Sequence, residues 1–308
     1  MVRISESRAS HPMAVIKAAV ESGITEVIVA YSGGKDSLAV LDLCCKYFKR
    51  VVPYWMYVVN GLSFHESHHA YIEAKYGVKI IRVPDWRLAH ILRSGVCRYV
   101  TGQAKLIPSV TVREIENSIR LRTGIHWVAS GETCGESLQR RGMIVGCNGI
   151  CPSRGHIYPI GWWRRRDVHS YLSQNRIVLS SEYRVMTDGR SFSGIEPKQV
   201  LDIKKHFPAD YEKIKKMFPL IEAQCVRREA AILVEQAEEA VKKEVSDKVR
   251  EEKEAAVALL QAEKKATREA KASEKKAERD RIRAEKPPKV KKEKKCPKDP
   301  SSKLAKQD

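Results

Sequence analysis

The run Glu26–Ser37, EVIVAYSGGKDS, constrains the fold of this chain more than any other stretch. Its first six residues, Glu26–Tyr31, are mostly β-branched and apolar, as in a strand buried on both faces. They pass directly into two glycines, which allow a tight turn and a close approach of backbone to a ligand. Ser37–Phe48 follows with Leu38, Val40, Leu41 and Leu43, a helical pattern. Strand, short glycine turn and helix in succession open a βαβ unit.

The alternation continues. Val51–Val59, Lys79–Val83 and His126–Ser130 read as strands. Pro12–Ser22, His65–Tyr76, Val110–Arg122, Asp167–Gln174 and Pro197–Phe218 read as helices. This predicts an α/β fold, a doubly wound, mostly parallel sheet covered on both faces, with ligands held beyond the carboxyl ends of its strands. The loops after Tyr31, Val59 and Ser130 are therefore the places to look for a site.

Residues 1–222 form the expected globular domain and hold all 17 glycines and all five tryptophans. Residues 223–284 read as a long charged helix, since Arg227–Ala284 contains neither Gly nor Pro and is rich in Ala, Glu, Lys and Arg. Val234, Ala237, Val241, Val245 and Val249 keep one face mildly apolar, enough for a protein partner but not a sustained heptad. Residues 285–308 read as a basic disordered tail.

The formal charge of +19 divides along the same lines. Residues 227–280 carry 14 basic and 14 acidic side chains, residues 281–308 carry 11 and 4, and residues 1–226 carry 32 and 20. The excess is thus +7 in the last segment and +12 in the globular part. Such a balance favours a polyanionic partner. Eight cysteines are too few for a disulfide scaffold, and no apolar run reaches the roughly 20 residues of a membrane span. With no secretory leader read at the start of the sequence, a cytoplasmic location is expected and no membrane association.

The loop Ser32-Gly33-Gly34-Lys35-Asp36-Ser37 combines anion donors. The hydroxyls of Ser32 and Ser37, the N–H groups at a helix N-terminus and the ammonium of Lys35 suit phosphate. Asp36 would repel it unless it holds Mg²⁺ or orients the loop. The spacing is not that of a Walker loop. Glu136 and Arg140 lie four apart and share a face if helical. Asp36 and Glu66 are candidate carboxylates for Mg²⁺.

SGGKDS in this context resembles the pyrophosphate loop of the N-type ATP pyrophosphatases and of the phosphoadenosine phosphosulfate (PAPS) reductase family, the adenine nucleotide alpha hydrolase-like superfamily. Asn60-Gly61-Leu62-Ser63-Phe64-His65-Glu66-Ser67 resembles the family's T-G-x-x-F-x-E-T segment, with Asn60 in place of Thr. Gly131-Glu132-Thr133-Cys134-Gly135-Glu136-Ser137-Leu138-Gln139-Arg140 resembles G-x-R-x-x-E-S-x-x-R, with Thr133 in place of Arg. Tyr158-Pro159-Ile160, Trp163 and Asp167-Val168-His169-Ser170-Tyr171-Leu172 resemble a further block downstream. The resemblance implies an adenine nucleotide, ATP or PAPS, bound by Ser32, Gly33, Gly34, Lys35, Asp36, Ser37, Gly61, Glu66, Gly131, Glu136 and Ser137. Lys35, Asp36 and Arg140 would carry the catalysis.

Two reactions fit this resemblance. ATP is cleaved between its α and β phosphates for adenylyl or sulfur transfer, or PAPS is reduced by a nucleophilic cysteine. Lys35 resembles the ATP-cleaving branch. The reductases' E-C-G-[IL]-H motif is matched neither at Cys225 nor at Cys296. A non-catalytic nucleotide- or nucleic-acid-binding adaptor is the reading from another class. Cys134, Cys147 and Cys151 are candidate ligands for an iron–sulfur cluster or Zn²⁺, against the plainer reading of buried thiols. His65, His68 and His69 read as an exposed polar helix face. Trp162-Trp163 followed by Arg164, Arg165 and Arg166 offers stacking and charge to a nucleic acid, as the tail offers charge, or else packs as core.

Overall fold

The computed structural model describes residues 13–284. Six strands form one sheet: β1 Glu26–Ala30, β2 Arg50–Tyr57, β3 Ile81–Pro84, β4 Val128–Ala129, β5 Ile150–Cys151 and β6 His156–Ile157. Their order across the sheet is β3-β2-β1-β4-β6-β5. Every neighbouring pair is parallel except β5 with β6. From β1 the chain builds outward to β2 and β3 on one side and resumes at β4 on the other. The β1/β4 boundary is therefore the topological switch point, where the crevice of an open α/β sheet lies.

Alternation along β1 sets the layers. Val27 and Val29 pack with Leu38 and Leu41 of helix α2 (Lys35–Tyr47), with Val15 and Ile16 of α1 (Ala14–Glu21), and with Val168 and Leu172 of α8 (Arg165–Gln174). Ile28 points the other way and joins Tyr54, Val128 and the Ile115 and Ile119 side chains of α6 (Val112–Thr123). Successive residues of a strand face opposite sides, so one five-residue strand anchors both helical layers. This is the doubly wound, mostly parallel sheet that the alternation predicts.

A third apolar cluster adjoins the carboxyl ends of the strands. It joins Val58, Val59, Leu62 and Phe64, around the start of α3 (Ser63–Tyr76), to Val200 and Ile203 of α9 (Pro197–His206) and Ile214 of α10 (Pro208–Met217). The single helix expected over Pro197–Phe218 is thus two. Pro208 lacks an N–H and pushes Phe207 out of helical geometry, to φ −136° and ψ 63°, so the chain turns there. Three short helices, α4 (Trp86–Ser94), α5 (Gly102–Leu106) and α7 (Leu138–Gly146), complete the described elements, with a 3₁₀ turn at Ser181–Arg184.

The last helix, α11, spans Ile221–Ala284. Two compact units divide the chain between Leu233 and Val234. The start of α11 belongs to the first, with Ile221 and Cys225 fully buried in the third cluster. In the second unit, Val234, Val241, Val245 and Val249 are exposed, and i,i+3 and i,i+4 ion pairs such as Lys248–Glu244 and Arg250–Asp247 run along the helix. The basic tail, residues 285–308, lies outside the described residues. No described helix is long and apolar enough to cross a membrane.

One buried carboxylate ties α10 to α3. The Ser63 N–H donates to both oxygens of Asp210 at 2.8 and 2.9 Å, and the Ser63 hydroxyl donates to Oδ2 at 2.5 Å. Lys213 Nζ donates to Oδ1 at 2.9 Å and to the Gly61 carbonyl at 2.6 Å. Burial alone would raise the Asp210 carboxyl. The hydrogen bonds from Ser63 and Lys213 outweigh it and hold the group below the usual carboxylate range. Asp210→Ala leaves the start of α3 uncapped and Lys213 unpaired, and is expected to cost about 2 kcal/mol. Urea unfolding checks this: the midpoint falls, and an unchanged midpoint would place the cap elsewhere.

Candidate functional site

The loop between β1 and α2 is held by its own serines. Ser37 Oγ accepts from the Ser32 N–H at 3.1 Å and donates to the Gly34 carbonyl at 3.0 Å, while the two hydroxyls lie 3.0 Å apart. Gly33 sits at φ +80°, a conformation that side-chain-bearing residues rarely adopt. Gly34 is the helix N-cap, and no side chain caps α2, whereas Thr111 and Ser137 cap α6 and α7. The first-turn N–H groups have no intrahelical partners, so this end carries the positive pole of the helix dipole with free donors. Lys35 Nζ contacts Asp36 Oδ2 at 2.5 Å, and both side chains are largely buried.

Gly131 brings the loop after β4 against this helix start. A Cβ there would lie 2.9 Å from the Ser37 nitrogen and 3.0 Å from the Asp36 carbonyl carbon. Both contacts are backbone, so only glycine permits the approach. Beyond it, Arg140 is paired with Glu136 and lies 3.6 Å from Glu132, while Ser137 Oγ accepts from the Arg140 N–H at 3.2 Å as the cap of α7.

Three cavities meet at the loop, and Asp36 lines all of them. The first, about 470 Å³, lies over β1, β2 and β3 and is walled by Tyr31, Trp55, Trp86, Tyr183 and Phe192, with Lys35, Arg87 and Arg190 at its polar side. The second, about 600 Å³, is lined by Lys35, Cys134, Arg141, Trp162, Arg164 and Arg165. The third, about 990 Å³, opens at the β1/β4 switch point between Ser32, Ser37, Glu132 and Arg140 and extends to Glu116 and His156.

The roof of the first cavity is fixed from behind. The fully buried Gln199 accepts from the Ser193 N–H at 3.0 Å and donates to Asp188 at 2.9 Å. This sets the segment 188–193 so that Ser191 Oγ stands beside Gly34. Arg87 makes two 2.9 Å hydrogen bonds to Asp85 and a 3.0 Å bond to the Ser193 carbonyl. None of these residues stands out in the sequence, because ordinary polar residues far from the loop do this work.

Near the loop lies a set of buried polar atoms without hydrogen bonds. The hydroxyls of Tyr31 and Tyr183, Nδ1 of His65 and of His69, Nε2 of His68 and Oε1 of Glu182 are buried with no hydrogen bond. The expected exposed face at His65, His68 and His69 is thus incorrect: all three are buried, with Trp55 edge-on to His65 and His69. Burial favours their neutral forms, taking His65 down to about 3, aided by His69 and His68, and His68 and His69 down to about 4. Buried unpaired polar atoms are costly, and several at one cavity wall mark a place shaped for a ligand.

Several expected site residues lie elsewhere. Glu66 is held by Arg82 through hydrogen bonds of 2.6 and 2.7 Å and lines none of the three cavities. It does not join Asp36 as a pair of Mg²⁺ ligands. Gly61 lines none of them either, and its carbonyl accepts from Lys213. Cys134, Cys147 and Cys151 gather around Ile144 and Tyr158. Yet Cys147 donates to the Ile144 carbonyl and Cys151 shares a contact with Ser153, and no group of three His, Cys, Asp or Glu among the described residues is arranged to hold a metal. The residues do not fit a zinc or iron–sulfur site. Trp163 is core, packed against Tyr171, while Arg164, Arg165 and Arg166 are exposed. Cys225 is fully buried, and Cys296 lies outside the described residues.

Residues 26–91 match the family model described as phosphoadenosine phosphosulfate reductase domain, which bears out the family resemblance over that segment. No curated protein matches the chain. Among solved structures, a phosphoadenylyl-sulfate (PAPS) reductase from Candida auris in a phosphate complex is similar at 16% identity and a TM-score of 0.36. The match covers 58% of this chain and 91% of that one.

The buried histidines predict acid sensitivity. In the unfolded chain they bind protons below about 6.5, whereas in the fold they resist until about 3 to 4. Their contribution to stability is therefore complete above about pH 6.5 and is lost as the pH falls towards 4. The thermal midpoint is expected to drop over that window, and less steeply in His68→Gln. Equal slopes in the two proteins would place the acid sensitivity in other groups.

Proposed function

We propose that this chain binds an adenine nucleotide through Ser32–Ser37 and cleaves ATP between its α and β phosphates, transferring the adenylyl group to an acceptor in sulfur-related chemistry. The observation that carries the reading is the uncapped N-terminus of α2 at the switch point, with Lys35 and two serine hydroxyls beside it. The free N–H groups, the hydroxyls and the ammonium are donors that suit a polyphosphate. The aromatic cavity alongside, with Tyr31, His65 and Tyr183 presenting unpaired polar atoms, suits a purine nucleoside.

In this reading the protein works by position and charge. The loop fixes the β and γ phosphates, and Lys35 neutralises charge that gathers on the leaving pyrophosphate. Gly131 lets the α-phosphate lie against the loop after β4. Glu136 lines the far wall, Ser137 caps α7 and so sets Arg140, and Arg140, held by Glu136, lends its charge to the α-phosphate. Asp36, which lines all three cavities, would be the carboxylate that meets a nucleotide-bound Mg²⁺, whose charge would offset that of the phosphates.

A second reading has one observation in its favour. Among the described residues, Cys134 is the cysteine that lines a cavity with Lys35, and Arg141 lies on the same wall. Burial raises its thiol, while Arg141 pulls the other way. A sulfonucleotide reductase would use this thiol rather than Cys225, which is enclosed in the apolar cluster.

Incubation with α-labelled ATP is expected to yield labelled AMP and unlabelled pyrophosphate. Release of ADP would put the cleavage at the wrong bond. Lys35→Ala is expected to weaken ATP binding about tenfold or more, the loss of one charge-assisted contact of about 1.5–3 kcal/mol. Unchanged affinity would remove the loop from the site. Sulfite from labelled PAPS, lost in Cys134→Ser, would replace the first reading by the second. Binding of both nucleotides with no product would leave an adaptor.

A further inference from the structure

The largest of the three cavities at the loop holds a carboxylate–imidazole pair that the nucleotide reading leaves unused. Glu116, on α6, accepts a hydrogen bond at 3.2 Å from the Tyr54 hydroxyl through Oε1 and meets His156 Nε2 at 3.0 Å through Oε2. Glu116 is nearly enclosed, at 8% side-chain exposure, while His156 keeps 18%. The carboxylate is thus anchored from β2, and the imidazole is presented to the cleft from β6. With Nε2 committed to Glu116, Nδ1 is the nitrogen left to exchange a proton. A buried carboxylate on one imidazole nitrogen fixes the tautomer and steadies the protonated ring, the logic by which acid groups orient catalytic histidines.

The position of the pair matters as much as its geometry. Glu116 and His156 line the same cleft as Ser32, Asp36 and Ser37 of the phosphate loop. The aromatic cavity shares Ser32, Asp36, Tyr54 and Met56 with this cleft and extends to Asp85 and Trp86 beyond the end of β3. A nucleotide with its base in the aromatic cavity and its phosphates on the loop therefore turns its α-phosphate towards the cleft at the switch point. The charged groups that line the cleft with the imidazole are Asp36 from α2, Arg113, Glu116 and Arg120 from α6, Glu132 and Glu136 after β4, Arg140 from α7 and Arg154 before β6. Arg120 is engaged by the His126 and Arg154 carbonyls at 2.8 and 3.0 Å, and Arg140 by Glu136, so neither occupies the imidazole.

We infer that the cleft is the acceptor site of the reaction and that His156 is its general base, with Glu116 as the positioning residue. This rests on the ATP-cleaving reading above. An acceptor O–H or N–H lying between His156 and the α-phosphorus gives its proton to Nδ1. The acceptor atom forms its bond to the α-phosphorus as the bond from that phosphorus to the bridging oxygen breaks, and pyrophosphate leaves with the electron pair. With water as acceptor the product is AMP. The cleft, with Arg113, Arg120, Arg140 and Arg154 along it, fits an acceptor that is itself anionic.

The test uses the full chain with ATP, water serving as acceptor, and with α,β-methylene-ATP, which binds without being cleaved. His156→Gln is expected to lower AMP release about 100-fold or more while ATP affinity stays within about threefold. Glu116→Gln, which keeps the hydrogen bond and loses the charge, is expected to lower kcat while KM for ATP stays unchanged, as a positioning residue should. A His156→Gln enzyme that stays folded and cleaves at the wild-type rate would overturn the assignment. Ring-¹⁵N NMR separates this failure from failure of the ATP reading. If the wild-type protein binds ATP but releases no AMP, a His156 signal that moves when α,β-methylene-ATP binds still places the pair at the nucleotide, and a signal that does not move overturns it.

Discussion

Everything around the loop depends on one close approach, the backbone at Gly131 lying against the first turn of α2. A parallel sheet that builds outward from β1 in both directions leaves a crevice where the two halves part, and side chains would fill it if they could. Here the chain leaving β4 comes within contact of the Asp36 and Ser37 backbone, because position 131 carries no Cβ. The free N–H groups of α2 thus face an opening bounded by backbone on both sides. Around this helix start the space above the sheet holds an aromatic cavity reaching past the ends of β2 and β3 and a polar cleft running towards β6, with Ser32 and Asp36 common to both.

The electrostatics of that region follow from its burial. Lys35 is paired with Asp36, Arg87 with Asp85, Arg190 with Asp188 and Arg140 with Glu136, so the cations at the loop are held by carboxylates next to them in sequence or one helical turn away. Each cation is in this way kept in place and partly neutralised, and an incoming polyphosphate competes with a carboxylate rather than with water alone. Underneath, the three histidines that would add charge are held neutral by the aromatic rings around them. The positive field at the loop then comes from the helix N-terminus, from Lys35 and from the arginines that line the cavities beside it. That gives part of the +12 in the globular part a place: Arg141, Arg164 and Arg165 share the second cavity with Lys35, and Arg113, Arg120, Arg140 and Arg154 line the third.

What was legible in the sequence is what local pattern governs. The strand, turn and helix of Glu26–Tyr47 could be read residue by residue, and so could the alternation that makes a doubly wound sheet, because periodicity and glycine placement act over a few residues. Pro208 was a visible signal against one helix over Pro197–Phe218, overridden by an otherwise helical composition. The histidines failed for another reason. Three polar residues at i, i+3 and i+4 look like a solvent face, but Tyr31, Trp55 and Phe192, brought in from distant segments, close over them. Glu66 and Gly61 were placed by motif position, but Arg82 and Lys213 engage them in the fold. No spacing rule predicts an ion pair between a helix and the strand that follows it, or a lysine reaching a carbonyl 152 residues away.

The Glu116–His156 pair is the clearest case of a feature that exists only in three dimensions. Forty residues separate its members. In sequence Glu116 is one more charge on an amphipathic helix, and His156 one more residue near cysteines that suggested a metal. The sheet order brings them together. β6 pairs with β4, so His156 lies level with Val128, and α6 covers the face of the sheet on which Val128 and Tyr54 are buried. A carboxylate set into that face has to be satisfied there, and it takes Tyr54 from β2 and His156 from β6, one partner on each side of the switch point. The arrangement that satisfies the buried charge also turns an imidazole towards the space where the two halves of the sheet part. Packing of α6 and presentation of a proton acceptor are therefore one constraint, and a sequence that kept the fold but replaced Glu116 by an apolar residue would free the imidazole from its orientation without disturbing the phosphate loop.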